Sequence, residues 1–272
     1  MLNAQELDGL GLVAPFRSRR LFCEFLPVGY ELTTLDSVED RRKVVELKVL
    51  LGTLITLYDD YADRPDRFNP RLLKLLYRIP FERVTVDPGT LDREELLALD
   101  LAKSLFAKLL TGIERLRNYY LLSDVFCFDL KQFFLANHYS ELLTQHRFLG
   151  NEGENRLYLH HNMGIVLAGM IDLMNVPRFT VADLGPARNL FLLGQRAGRI
   201  SNVLTTYDRE LEEDDRTNEL LVSGDPGELE AELATLLQKI ETGKGINCFS
   251  AREYARGIRA LHELHLKLKG VI

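Results

Sequence analysis

An all-α protein, folded as a single domain over residues 1–272, is what the sequence predicts. Three observations carry that expectation. Apolar residues recur at helical spacing through most of the chain. Residues that start helices stand ahead of those segments, several of them followed by proline. Alternating, strand-like segments are almost absent, and the best, Val84-Thr85-Val86, is short and closed off by Pro80 and Pro88. There is no internal repeat, low-complexity tract or long linker. Eight to ten helices are expected, several apolar over much of their circumference, as helices around a buried centre are.

Taken in order, Ser37 is a cap for a helix through Val44, Leu47, Leu51, Leu54, Ile55 and Tyr58, which meets the acidic run 59–63 and stops at Pro65. Asn69-Pro70 opens a short helix through Leu72 to Leu76, with proline at its first position. Thr90 caps a long helix continuing to about Tyr119, and Ser123 caps another through Phe126, Leu130, Phe134 and Leu142. A helix spans about Asn155 to Met174 and contains Gly164 and Gly169. Thr180 or Asp183 opens a stretch reaching about Glu213, Asp225-Pro226 opens one to about Thr242, and Ser250 caps the last, which ends near Gly270.

A chain of 272 residues has ample length for a sizeable core, and 46% hydrophobic and 27% charged residues are ordinary for a globular protein. The net charge of -6 argues against a nucleic-acid partner. It does not exclude a diphosphate ligand, since cations can lie between an acidic site and an anion. Cys23, Cys127 and Cys248 are odd in number and far apart, which suggests neither a disulfide framework nor a zinc site and fits a reduced, cytoplasmic setting. The first twenty residues lack the apolar stretch of a signal peptide, and no apolar run is long enough to span a membrane. A monomer or homodimer is the expected assembly.

Chemistry concentrates in two places. Asp59, Asp60 and Asp63 stand at i, i+1 and i+4, so the pairs three and four apart share a helix face. Such carboxylates repel one another, and the C-terminal end of a helix dipole adds to the penalty. A bound divalent cation relieves both. The preceding residues 50–58 are too apolar for a surface helix, so the carboxylates terminate a buried one. The second place is Asn202, Thr206 and Glu210, at i, i+4 and i+8, which aligns an amide, a hydroxyl and a carboxylate on one stripe. All are hard oxygen donors suited to magnesium. Taken singly, each cluster also reads as a solvated helix end or a locally bonded polar stripe.

Together the two clusters resemble the metal-binding motifs of class I terpene synthases, an aspartate-rich DDxxD and an N-x3-S/T-x3-E. Asn202 follows Asp59 by 143 residues, the order of separation found in bacterial members, and Arg209 stands where that family has a basic residue before the final glutamate. Arg156, 46 residues before Asn202, occupies the position of the family's diphosphate-sensing arginine. It heads residues 156–164, which in the family form a helix broken near its middle, whose backbone helps to trigger ionisation; Gly164, the last residue of that segment, is a substrate-binding candidate. The resemblance covers roughly residues 40 to 220. Two features depart from it: the C-terminus has no Arg-Tyr pair, with Arg256, Arg259, Lys267 and Lys269 as the nearby cations, and the chain has no tryptophan.

The resemblance implies an α-helical bundle with a central active-site cavity and three magnesium ions. Asp59 and Asp63 would hold two of them, with Asp60 behind them, and Asn202, Thr206 and Glu210 the third. Arg156 and Arg209 would bind the diphosphate of a prenyl substrate, and Tyr58, Phe126, Phe134 and Tyr158 are the aromatic candidates for stabilising a carbocation. C20 and C15 diphosphates are the expected substrates, C20 being favoured. The alternatives are a chain-elongating prenyl diphosphate synthase, which needs a second aspartate-rich motif, and a non-catalytic helical binding protein. His160-His161 reads as a structural pair, His262-x-x-His265 as surface, and Arg17, Arg19 and Arg20 as a solvated basic turn in preference to a patch that folds over the closed site.

Overall fold

The computed structural model describes residues 2–63, 67–87, 89–146, 148–212, 217–220 and 225–269. Among the described residues, eleven α-helices account for almost all the regular structure and no strand occurs. They are α1 (Ala4–Val13), α2 (Leu26–Thr33), α3 (Arg41–Ala62), α4 (Pro70–Leu76), α5 (Arg93–Ile113), α6 (Tyr119–Gln145), α7 (Glu152–Tyr158), α8 (Ile165–Met174), α9 (Val181–Glu212), α10 (Pro226–Glu241) and α11 (Ala251–Lys267). A π turn, Leu21–Phe25, runs into α2, and a 3-10 turn, Leu159–Met163, joins α7 to α8.

Several caps are those the sequence predicts. Asn69 accepts from Leu72 N, Asp225 from Gly227 N, and Ser250 Oγ from Glu253 N. Others differ. Asp40, rather than Ser37, caps α3 by accepting from Lys43 N. Asp92, rather than Thr90, caps α5 in a reciprocal box with Glu95, and that helix ends at Ile113. Helix α6 begins at Tyr119, four residues before Ser123. Val84-Thr85-Val86 forms no strand because no second strand is there to pair with it. Pro65 and Gly270 lie outside the described residues.

One contiguous apolar cluster joins α3, α4, α5, α6, α8, α9, α10 and α11. Helix α3 packs on α2, α5, α6 and α8, while α9 packs on α8, α10 and α11. Helices α3 and α9 therefore face each other across the space bounded by α2, α8 and α11. The approach of α11 to α2 is close: a Cβ at Gly257 would lie 2.3 Å from Leu32 O, so only glycine fits. The N-terminal elements were not predicted. The π turn precedes Pro27, which has no N–H to donate and would crowd a carbonyl four residues back; one wider turn, with Leu26 N bonded to Leu21 O, accommodates it. Among the described residues no helix is long and apolar enough to cross a membrane.

Candidate active site

Helices α2, α3, α8, α9 and α11, with the two irregular turns, wall a cavity of about 180 Å³. Helix α3 contributes Lys48, Gly52, Thr56, Asp59 and Asp63, whose spacing by three or four places them on one face. Lys48 and Asp59 are eleven residues apart, about 16 Å along the axis at the usual helical rise. The cavity therefore has two ends. At one, Asp59 and Asp63 from α3 meet Asn202, Arg209 and Glu210 from α9. Between that end and Lys48 the walls include Leu21, Phe25, Leu26, Ile55, Ile165 and Leu261.

The polar end carries both signs of charge. Asp59 is half-buried on the cavity wall, and desolvation there pushes its carboxyl up to about 6; Asp60 and Glu210 push it the same way, while Arg17 and Arg199 oppose them. Arg17, from the loop before the π turn, donates through Nε to Asp60 Oδ1 at 2.9 Å and lines the cavity. Arg199 is almost completely buried, faces the same cavity and donates to Thr217 O. Arg209 reaches Glu210 Oε1 at 3.3 Å, and the other oxygen of Glu210 accepts from Asn218 Nδ2 at 2.7 Å. Asn162, in the 3-10 turn, points Nδ2 at Asp59 Oδ1 over 3.4 Å, and its own Oδ1 is buried without a hydrogen-bond partner among the described residues.

These groups fit a hard cation. Asp59, Asp63, Asn202 and Glu210 offer only oxygen or amide donors, and Asn162 Oδ1 is an orphaned acceptor beside them; leaving such an atom unsatisfied costs about 1–3 kcal/mol. No three His, Cys, Asp or Glu side chains among the described residues are gathered into a ready-made metal cage. Magnesium does not require one, since it completes its shell with water and substrate phosphate.

No family model matches this chain, and no curated protein does. What the site can do must be argued from its own residues.

The structure brings together Asp59, Asp63, Asn202, Arg209 and Glu210. It places several other expected residues elsewhere. Asp60 is buried off the cavity and holds Arg17. Thr206 is buried off the cavity too, its hydroxyl donating to Asn202 O one turn back at 2.8 Å. Arg156 is exposed, pairs with Glu152 at 3.1 Å and faces a separate depression with Glu219 and Glu232. Tyr58, Phe126 and Phe134 are core residues: Tyr58 donates to Leu76 O at 2.8 Å and packs against Phe133 and Phe134. Tyr158 packs on Tyr139, away from the cavity. Gly164 sits at the helix break with a left-handed φ of 62°, between Met163 and Ile165, which both line the cavity.

One guanidinium group at the site was missed, Arg199, and a second, Arg17, was expected in a solvated turn rather than folded over the site. Arg199 shares the stripe of Asn202, Thr206 and Glu210, three residues ahead of the first, so its spacing was a usable signal. Arg17 carries no local signal: it arrives from 43 residues upstream of Asp60 through the path of the N-terminal segment. Three of the C-terminal cations are engaged with carboxylates instead of lining the cavity. Arg256 pairs with Glu253, Arg259 with Glu241, and Lys269 with Asp208. His265, expected on the surface, is buried.

Proposed function

We propose that this chain is a magnesium-dependent class I terpene synthase, which ionises a prenyl diphosphate and releases pyrophosphate. One observation carries the reading: carboxylate and amide donors from α3 and α9 meet Arg17, Arg199 and Arg209 at one end of a cavity whose middle is apolar. An acidic site alone repels a diphosphate, and a basic site alone has no use for the carboxylates. Both signs in one place suit an anion bound through cations.

Asp59, Asp63, Asn202 and Glu210 would hold the magnesium. Bound there, it supplies positive charge that stabilises the departing pyrophosphate. Arg17, Arg199 and Arg209 donate charge-assisted hydrogen bonds to the diphosphate oxygens, bonds that strengthen as the leaving group gains charge. Breaking the C–O bond leaves an allylic cation. Phe25, Leu26, Ile55 and Leu261 give that cation dry walls, which delay its capture by water. Phe25, Tyr30 and Tyr254 are the aromatic rings of phenylalanine and tyrosine that line the cavity itself. A C20 or C15 chain is the substrate in this reading.

Purified protein incubated with C10, C15 and C20 diphosphates tests it, with released pyrophosphate and extractable products both measured. Release should require Mg2+, stop in excess chelator, and fall at least a hundredfold in Asp59→Asn. No release from any of the three substrates in the presence of Mg2+ overturns the proposal.

A further inference from the structure

A single hydrogen-bonded chain links the cavity to a second depression on the other side of α9. Ser201 is almost fully buried on α9. Its Oγ lies 2.6 Å from His265 Nδ1 and 2.9 Å from His262 Nδ1, both on α11. His265 lines the cavity beside Leu261, its ring stacked on Phe25 with centroids 5.1 Å apart. His262 lines the other depression, with Tyr207, Asp208 and Glu230. The serine is thus a joint between an imidazole facing the cavity and one facing outward.

A hydroxyl has one proton to donate. Two imidazole nitrogens touch this one, so with both rings neutral one accepts from Ser201 and the other donates to it. The rings then carry opposite tautomers. Burial favours the neutral form of both. The charged groups acting on His262 are Glu230 from α10 and Glu263 from its own helix, while the only one acting strongly on His265 is His262. When His265 donates Nδ1–H to Ser201 and Ser201 donates to His262 Nδ1, the Nε2 of His265 is left as a bare lone pair. That nitrogen has no hydrogen-bond partner among the described residues.

We propose that His265, Ser201 and His262 form a proton exit, in which His265 Nε2 takes the proton that ends the carbocation reaction and the serine passes it outward. This rests on the terpene synthase reading. The step balances without an added reactant. The C–H bond next to the cationic carbon breaks, and its electron pair becomes the C=C bond of the product. The proton goes to His265 Nε2. His265 Nδ1–H moves to Ser201 Oγ as the serine proton moves to His262 Nδ1, and His262 releases Nε2–H to water. The chain is left in the reverse tautomers, and resets after product departure when water removes the proton from His265 Nε2, the two inner protons shift back through Ser201, and His262 Nε2 takes a proton from solvent.

Two measurements on the full chain test it. In ¹⁵N-histidine-labelled protein at neutral pH, NMR should find His265 protonated on Nδ1 and His262 on Nε2, with Ser201→Ala uncoupling the two. His265 found as the Nε2–H tautomer overturns the exit. In turnover, Ser201→Ala and His262→Gln should shift the product mixture several-fold away from the wild-type alkene, with a smaller change in pyrophosphate release; thermal melts check that both variants fold. Pyrophosphate release with an unchanged product mixture sinks the exit alone. No pyrophosphate from the wild type sinks the terpene reading and the exit with it.

Discussion

At the scale of single residues, Arg156, singled out by its position in the sequence, and Arg199, which was not, make a sharp contrast. Arg156 matches the family spacing, yet it stands in water with Glu152. Arg199 matches no motif, yet it is buried against the cavity close enough to Asp59 to act on its charge. An exposed pair such as Arg156–Glu152 contributes about 0–1 kcal/mol. Arg156→Ala should therefore leave both kcat and melting temperature near wild type. Arg199→Lys keeps the charge and loses the planar fork, so kcat should fall about tenfold or more, equivalent to at least about 1.4 kcal/mol. Steady-state pyrophosphate release on both variants decides between them, and a large loss in Arg156→Ala would put the sensor back on α7. The residues proposed as ligands, Asp59, Asp63, Asn202 and Glu210, stood out in the sequence because they repeat at helical spacing on single helices. Arg17 was not, since its approach to Asp60 is a property of the folded N-terminal path.

At the scale of elements, the interrupted helix from α7 through the 3-10 turn to α8 determines what reaches the cavity from that side. Periodicity alone reads residues 155–174 as continuous, because the apolar spacing survives the break. Gly164 was the local sign, and its φ of 62° is where the chain departs from the helix. The first free donor of α8, Val166 N, is satisfied by Gln195 Oε1 at 3.1 Å, whose amide nitrogen lies 3.2 Å from His161 Nδ1. The break is thus held from α9, the helix that also presents Asn202. An alanine at 164 would adopt a left-handed conformation and place its Cβ 2.1 Å from Ile55 Cδ1. Gly164→Ala should cost about 2–4 kcal/mol. Adding Ile55→Ala should relieve the overlap, so the double variant should lose clearly less than the sum of the two single losses, which denaturant melts of the single and double variants resolve. Simple additivity of the two would show that Ile55 does not press on the break. The N-terminal helices escaped the sequence reading for a related reason: α1 and the π turn are short, and the weak periodicity of the first 36 residues hides them.

For the whole molecule, the balance of buried titratable groups sets acid sensitivity. Burial holds His160 down at about 4 and His265 at about 3, and lowers His161 and His262 as well. An unfolded chain takes up protons at these rings once pH drops below about 6.5, and the folded chain does not. Their contribution to stability is therefore complete above that value and is lost as pH falls towards 4 and 3. Glu95, Asp183 and Glu232, lowered by their hydrogen bonds, lose stability in the same direction at lower pH. Asp59 and Asp172, raised by burial, work the opposite way but are fewer. Melting temperature in chelator should fall by several degrees between pH 7 and pH 4.5, on the order of a few kcal/mol. His265→Gln should fall less steeply; a wild-type melting temperature flat over that range would mean that the histidines are hydrated in the folded state. Burial of this kind was not legible beforehand. The spacing of His262 and His265 fits surface and interior equally well, and only the packing of α11 on α2 and α9 sends His265 inward.

The π turn and α2 have a practical bearing on how such a chain can be cut or grafted. Both acidic motifs lie beyond residue 40, so a fragment begun there would look intact by every pattern that points to magnesium. It would lack Arg17, Leu21, Phe25 and Tyr30, and with them one flank of the chamber and the ring against which His265 rests. Such a fragment would be a scaffold with its chemistry open to water. Swapping the first 40 residues between related chains would then exchange the shape of the chamber while leaving the two proposed ligand motifs untouched, making this segment a natural unit for recombination.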